Sequence, residues 1–236
     1  MGNPVKYISI LLKCAVAGAA CCVAFLGQAS AGTTLSGSLT ADNAFYAYLS
    51  TSETSLGTLV SSGNNWGQTY SFAGAALTAG VTYYLNIEVI NYGGPYGLLG
   101  SLSLSGSDFS FSNGSQTLDT NTTNWQTSLN SNNSNVSPQA WVAATGAASN
   151  VYMNGAAAQY LNGQGPWGFH SGIDTASVWI DNGTTTDLYD NGNFTVDYST
   201  TITYNGTAAA PEPASLSMLG LGLIGLAFGR HRARRV

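Results

Sequence analysis

All six lysines and arginines of this 236-residue chain sit near its ends: Lys6, Lys13, Arg230, Arg232, Arg234 and Arg235. Between Gly32 and Ala210 there is none, whereas ten of the 11 acidic residues fall there, Glu212 being the exception. A fold built from that stretch has no Lys or Arg ion pair available to it. Nucleic-acid binding is excluded, because phosphate contacts need cationic side chains. Adhesion to an anionic membrane surface is disfavoured for the same reason. Solubility must come from net charge and from a surface of Ser, Thr, Asn and Gly.

The stretch 32–210 is long enough for one sizeable domain, and its apolar residues recur with period two. Phe45, Ala47 and Leu49 alternate with Tyr46, Tyr48 and Ser50. Val81, Tyr83, Leu85, Ile87 and Val89 alternate with Thr82, Tyr84, Asn86, Glu88 and Ile90. Phe194, Val196, Tyr198, Thr200, Ile202 and Tyr204 alternate with Thr195, Asp197, Ser199 and Thr201. Such runs predict strands with one dry face and one wetter face. Turn-forming clusters separate them: Ser62-Gly63-Asn64, Ala79-Gly80, Tyr92-Gly93-Gly94-Pro95, Asp181-Asn182-Gly183 and Asp190-Asn191-Gly192. No long amphipathic helix interrupts the pattern. The expected fold class is therefore all-β, an antiparallel β-sandwich. Thr120 to Asn150, rich in Asn, Ser, Thr and Ala, reads as a long surface loop with one short strand or helical turn near Ala140 to Ala143.

The two ends read as addresses. Lys6 and Lys13, the apolar stretch from Cys14 to Leu26, and Ala29-Ser30-Ala31 have the order of a signal peptide with an A-x-A cleavage site, over residues 1–31. Cys21 after Ala20 is a lipoprotein alternative, although Gly18 stands three positions before it where Leu is usual. All three cysteines, Cys14, Cys21 and Cys22, lie in this segment, so cleavage near Gly32 leaves a domain without disulfides. At the other end, Pro211 and Pro213 break what precedes them. Leu216, Leu219, Leu221, Leu223, Ile224, Leu226 and Phe228 are apolar on every side of a helix, and four arginines follow. This predicts a transmembrane helix with its basic end in the cytoplasm. The run from Ala214 to Gly229 spans about 24 Å as a helix, short of a ~30 Å hydrocarbon core. Snorkelling arginines and local thinning cover the difference. Gly220-Leu221-Gly222-Leu223-Ile224-Gly225 has the dinucleotide spacing but no preceding strand, and it reads as small residues for helix contact.

Pro211-Glu212-Pro213, the apolar helix and the cluster Arg230, Arg232, Arg234 and Arg235 resemble the PEP-CTERM sorting signal of Gram-negative bacteria. The resemblance implies export, transient or permanent anchoring at the inner membrane, processing by an exosortase, and life at the cell surface or in the exopolysaccharide matrix of a biofilm. Ala41 to Leu49, Gly63-Asn64-Asn65-Trp66, Leu77 to Leu85 and Asn91 to Leu99 follow one another as in galactose-binding-like jelly rolls. That resemblance implies a non-catalytic jelly-roll fold for residues 32–210 and no particular site.

Chemistry is sparse. There is no G-x-S-x-G elbow, no H-E-x-x-H and no Cys/His set. His170, Ser171 and Asp174 are triad residue types, yet nearly adjacent in sequence, where triad members usually converge from separate segments. Asp181, Asp187, Asp190 and Asp197 would supply paired carboxylates for a glycoside hydrolase. Asp187 and Asp190, in a tight Asp/Asn/Gly loop, are candidate ligands of a structural calcium ion, the only cofactor the sequence suggests. Trp66 and Trp167, beside Gly, Asn or Pro, are candidate platforms for stacking on a sugar. The expected protein is exported, non-catalytic and carbohydrate-binding, with exosortase, the export machinery and polysaccharide as partners. The alternatives are a secreted polysaccharide-active hydrolase and a self-associating matrix protein.

Overall fold

The computed structural model of the protein describes residues 32–130, 141–153, 156–183 and 194–206. Both terminal segments, with Ala29, Ala31, Pro211, Glu212, Pro213 and the four arginines, lie outside these residues, as do Asp187 and Asp190. Gly32–Thr207 forms one unit. Its strands are β1 (Thr34–Asp42), β2 (Ala44–Ser50), β3 (Thr58–Gly63), β4 (Tyr70–Ala76), β5 (Tyr83–Asn91), β6 (Gly97–Leu104), β7 (Phe109–Phe111), β8 (Thr117–Asp119) and β9 (Gln126–Asn130). After these come β10 (Gly146–Ala147), β11 (Ser149–Asn150), β12 (Tyr152–Met153), β13 (Ala156–Ala157), β14 (Ile180–Asp181) and β15 (Phe194–Tyr204). The single described helical turn is the 3₁₀ turn Gly165–Trp167.

One sheet runs β11-β14-β6-β1-β4, with β8 also on β6. A second runs β10-β9-β15-β5-β2-β3, with β7 also on β15, and β12 pairs with β13 in a separate two-stranded sheet. All described pairings between strands are antiparallel. The inner faces meet in one core, consistent with the expected β-sandwich. Leu35, Leu39, Leu98 and Leu102 come from the first sheet, and Phe45, Leu85, Ile87, Val196 and Tyr198 from the second. The dry faces expected from the period-two runs are the residues that fill this core. At ~25 cal/mol per Å² of apolar surface removed from water, their burial is the main force holding the sheets together.

Two expectations are corrected. The segment from Thr120 to Asn150 is not simply a surface loop. Trp125 is buried, and β9 pairs with β15 from Thr195↔Asn130 to Ser199↔Gln126, which sets it inside the second sheet. The Ser/Thr/Asn composition hid the strand because, of residues 121–130, only Trp125, Thr127 and Asn130 are buried. The outer face of the second sheet is also not wet. Asn86, Glu88, Ile90, Thr195, Asp197 and Ser199 all point away from the core and are all buried. Chain from both sides covers them. Asn86 Nδ2 donates to the carbonyls of Ser52 (3.3 Å) and Ser55 (2.8 Å), and the Val142 amide donates to Asp197 Oδ2 (2.9 Å). Trp141 Nε1 in turn donates to the Glu53 carbonyl at 2.7 Å.

With no Lys or Arg nearby, the buried acids rely on neutral donors. Asp181 accepts from the amides of Gly183 (2.7 Å) and Tyr152 (2.8 Å). Asp197 Oδ2 accepts from Asn130 Nδ2 (3.1 Å) as well as from Val142, while Oδ1 is buried without a partner. Asp42 Oδ2 accepts from Trp167 Nε1 at 2.8 Å, and its Oδ1 too is buried without a partner. Burial lifts Asp42 and Asp181 to about 6, against the donors that pull them down. Burial lifts Asp197 to about 7, and Glu88, its cross-strand neighbour, adds to the rise. Each group therefore holds a proton more tightly folded than unfolded. The stability this contributes is complete below the ordinary carboxyl value of 3.8 and is lost as pH rises through 6 to 7. Melting temperature is accordingly expected to fall by several degrees between pH 4.5 and 8. Asp197→Asn should flatten the upper part of that fall. A melting temperature that rises with pH over this range would contradict the assignment.

Candidate functional site

The outer face of the first sheet is divided in two. Along β1 and β6 the outward residues are Ser36, Ser38, Thr40 and Asp42, and Gly97, Leu99, Ser101 and Ser103, because the alternate positions fill the core. The half bearing Asp42, Gly97 and Leu99 is covered by the chain between Val151 and Trp179. There Leu99, Val151, Met153, Trp167, Ile173 and Trp179 make a second small core. Trp167 stacks on Trp179 with ring centroids 4.2 Å apart and planes 21° apart, and Tyr160 meets Trp167 edge-on. Gly97 permits this approach: a Cβ there would lie 3.3 Å from the Trp179 ring and 3.1 Å from the Ile180 carbonyl. Asn162 ties the covering loop, donating to the carbonyls of His170 (2.9 Å) and Ile173 (2.8 Å) and accepting from the His170 amide (2.8 Å).

The other half is an open groove of about 430 Å³. Its floor is a row of polar side chains crossing four strands in register: Ser71 on β4, Ser38 on β1, Ser101 on β6 and Asp119 on β8. A parallel row holds Ser36, Ser103 and Thr117. Gly172 and Asp174 of the covering loop form part of one wall. The hydroxyls are organised. Ser38 and Ser71 hydrogen-bond at 2.9 Å. Asp119 Oδ1 accepts from Ser101 Oγ (2.6 Å) and from the buried Ser177 Oγ (3.1 Å). Ser101 Oγ also accepts the Asp174 amide at 2.8 Å, which holds the loop against the sheet edge of the groove. Such a surface offers many hydroxyl donors and acceptors, carboxylate acceptors and no cation. Chemically it can exchange hydrogen bonds with hydroxyl-bearing molecules.

The sequence-derived candidates fall elsewhere. Trp167 is buried, with Trp179 against its face and its indole N–H committed to Asp42, so it presents no stacking surface in this structure. Trp66 is 42% exposed. Its loop is tied down where Thr40 Oγ1 donates to the Trp66 carbonyl (3.0 Å), two residues along β1 from Ser38, but Trp66 does not line the groove. Asp181 and Asp197 lie in different sheets, both buried. Of the triad residue types, His170 is buried whereas Ser171 and Asp174 are exposed. Burial lowers the His170 imidazole, and a hydrogen bond to the Trp167 backbone partly offsets this. Among the described residues no group of three His, Cys, Asp or Glu gathers as a metal site. No described helix is long and apolar enough to cross a membrane, and the signal peptide and C-terminal helix expected from sequence lie outside the described residues.

The groove itself was missed by the sequence reading, although its signal is present. Leu35-Ser36-Gly37-Ser38-Leu39 and Gly100-Ser101-Leu102-Ser103-Leu104 alternate with period two, and the serines are the outward set.

Residues 209–235 match the PEP-CTERM protein-sorting motif. This motif marks the chain as exported and processed by an exosortase, passing through a membrane-anchored precursor at the cell envelope. It covers Pro211-Glu212-Pro213 and the four arginines, the residues on which the resemblance was drawn. No curated protein and no solved structure matches the chain.

The contrast between the two tryptophans is measurable by urea denaturation. Trp167→Ala, which empties the second small core and strips Asp42 of its donor, should cost about 3–5 kcal/mol. Trp66→Ala should cost less than about 1 kcal/mol, as expected of an exposed side chain. Equal costs would mean that Trp167 is not packed as described.

Proposed function

We propose that this exported surface protein is a non-catalytic module that binds extracellular polysaccharide through the hydroxyl-lined groove of its first sheet. The observation that carries the reading is the in-register row Ser71, Ser38, Ser101 and Asp119, open to solvent on a chain whose tail marks it for export to the cell envelope. The absence of Lys and Arg from residues 32–210 suits a neutral, hydroxyl-rich partner better than a phosphorylated one. The non-catalytic reading is supported by the burial of Asp181 and Asp197 in different sheets, and by the burial of His170 where Ser171 and Asp174 are exposed. The sandwich fits the galactose-binding-like jelly-roll type in one respect: from β3 through β6, successive strands alternate between the two sheets.

The test is electrophoresis of the protein in gels containing a series of purified polysaccharides. At least one should retard it. Ser36→Ala, Ser38→Ala and Ser71→Ala together should weaken that retardation roughly tenfold or more, from about 0.5–1 kcal/mol per lost hydroxyl contact. Unchanged retardation in the triple variant would place binding elsewhere, and retardation by no polysaccharide would end the reading.

A second reading, self-association in the matrix, is favoured by the edges of both sheets on the β3–β4 side. No charged residue and no proline occurs from Thr54 to Ile87, so these edge strands lack the usual devices against strand pairing. Sedimentation across a hundredfold range of concentration should then show assembly that Leu59→Lys on β3 or Ser71→Lys on β4 suppresses. A concentration-independent monomer would exclude it.

A further inference from the structure

Taking the groove as a polysaccharide site, we infer that it accepts neutral or amino-substituted glycan chains, bound as an extended polymer across the strands, and rejects uronic-acid polymers. Three observations carry this. The row from Ser71 to Asp119 crosses four adjacent strands, about 14 Å at the usual strand spacing. That length and the open floor suit several sugar units rather than one. Second, the charged side chains lining the groove are Asp119 and Asp174, at the β8 side and on the loop wall. Asp119 is held in place by two serine hydroxyls, so it is a fixed acceptor for sugar hydroxyls or for an ammonium group. Third, no cation exists anywhere in residues 32–210 to offset a glycan carboxylate. A uronate laid along the row would meet two like charges with nothing to pair it. Like-charge juxtaposition at an interface suppresses wrong partners. Asp174 sets this discrimination from the rim. It is exposed, and its Oδ1 accepts the Ala176 amide at 2.8 Å.

The experiment uses the full chain in mild detergent with EDTA, so that no divalent ion bridges carboxylates. The probes are a neutral glucan, partially deacetylated chitosan and alginate, each in native gels or immobilised for interferometry. The wild-type protein is expected to bind the glucan or the chitosan and to ignore alginate, with free glucose competing poorly. Asp174→Lys should gain alginate binding and lose chitosan binding, each by at least several-fold. Asp108→Lys has the same net charge, alters an exposed position that does not line the groove, and should do neither. Wild-type binding to alginate in EDTA would overturn the inference while leaving polysaccharide binding intact. Equal gains in Asp108→Lys and Asp174→Lys would overturn it too, since global charge would then be the cause. Binding to neither the glucan nor the chitosan would overturn it as well, and the wider polysaccharide series then decides whether the underlying reading stands. A melting curve for each variant separates lost binding from lost fold.

Discussion

Every buried carboxyl in this domain has to be stabilised without a cation. That constraint follows from the placement of all lysines and arginines at the ends of the chain, and much of the architecture answers to it. A carboxylate removed from water without a partner is costly enough that it takes up a proton or recruits donors instead. Here both happen. Backbone amides reach Asp181 and Asp197, an indole reaches Asp42, and the loops that bring those donors must cross the outer faces of the sheets. The polar groups of the second sheet are thus the reason its outer face is roofed rather than wet. The roof is held in turn by Asn86 and Trp141, which find loop carbonyls.

The same device positions the groove. Trp167 is drawn onto Asp42 and stacks on Trp179, which pins the chain between Val151 and Trp179 over one half of the first sheet. Asn162 closes the loop that follows, and the Asp174 amide then fastens it to Ser101. What remains uncovered is the field of serines bounded by that loop. The site is therefore not an independent feature. It is the part of the sheet that the buried aromatic anchor leaves open, and its hydroxyl rows are in register because the strands beneath them are held in register by leucines on the opposite face.

The legible part of the fold was the part governed by periodicity. The alternations at Phe45, at Tyr83 to Val89 and at Phe194 to Ile202 name core residues directly, because a strand has only two faces. Composition misled where burial depended on partners distant in sequence. Thr127 and Asn130 look like loop residues, yet they are buried because β15 pairs with them. Trp167, between Pro166 and Gly168, has the local look of an exposed platform. Its burial is decided by Asp42, 125 positions away, which no local pattern reveals. The hydroxyl groove stayed hidden for a related reason. Ser36, Ser38, Ser101 and Ser103 are written with clear alternation, but only the pairing of β1 with β6 turns two serine runs into one surface. The terminal address, by contrast, is carried entirely by local order, and a sorting motif reads from sequence alone.

The central claim is that the domain buries its acids on neutral donors and protons rather than on cations. Carboxyl ¹³C NMR titration of the aspartates, assigned through Asn substitutions, tests it most directly. The account predicts midpoints near 6 for Asp42 and Asp181 and near 7 for Asp197. Midpoints for these three at or below the ordinary aspartate value would contradict it, because the fold would then hold these carboxyls ionised and not on protons.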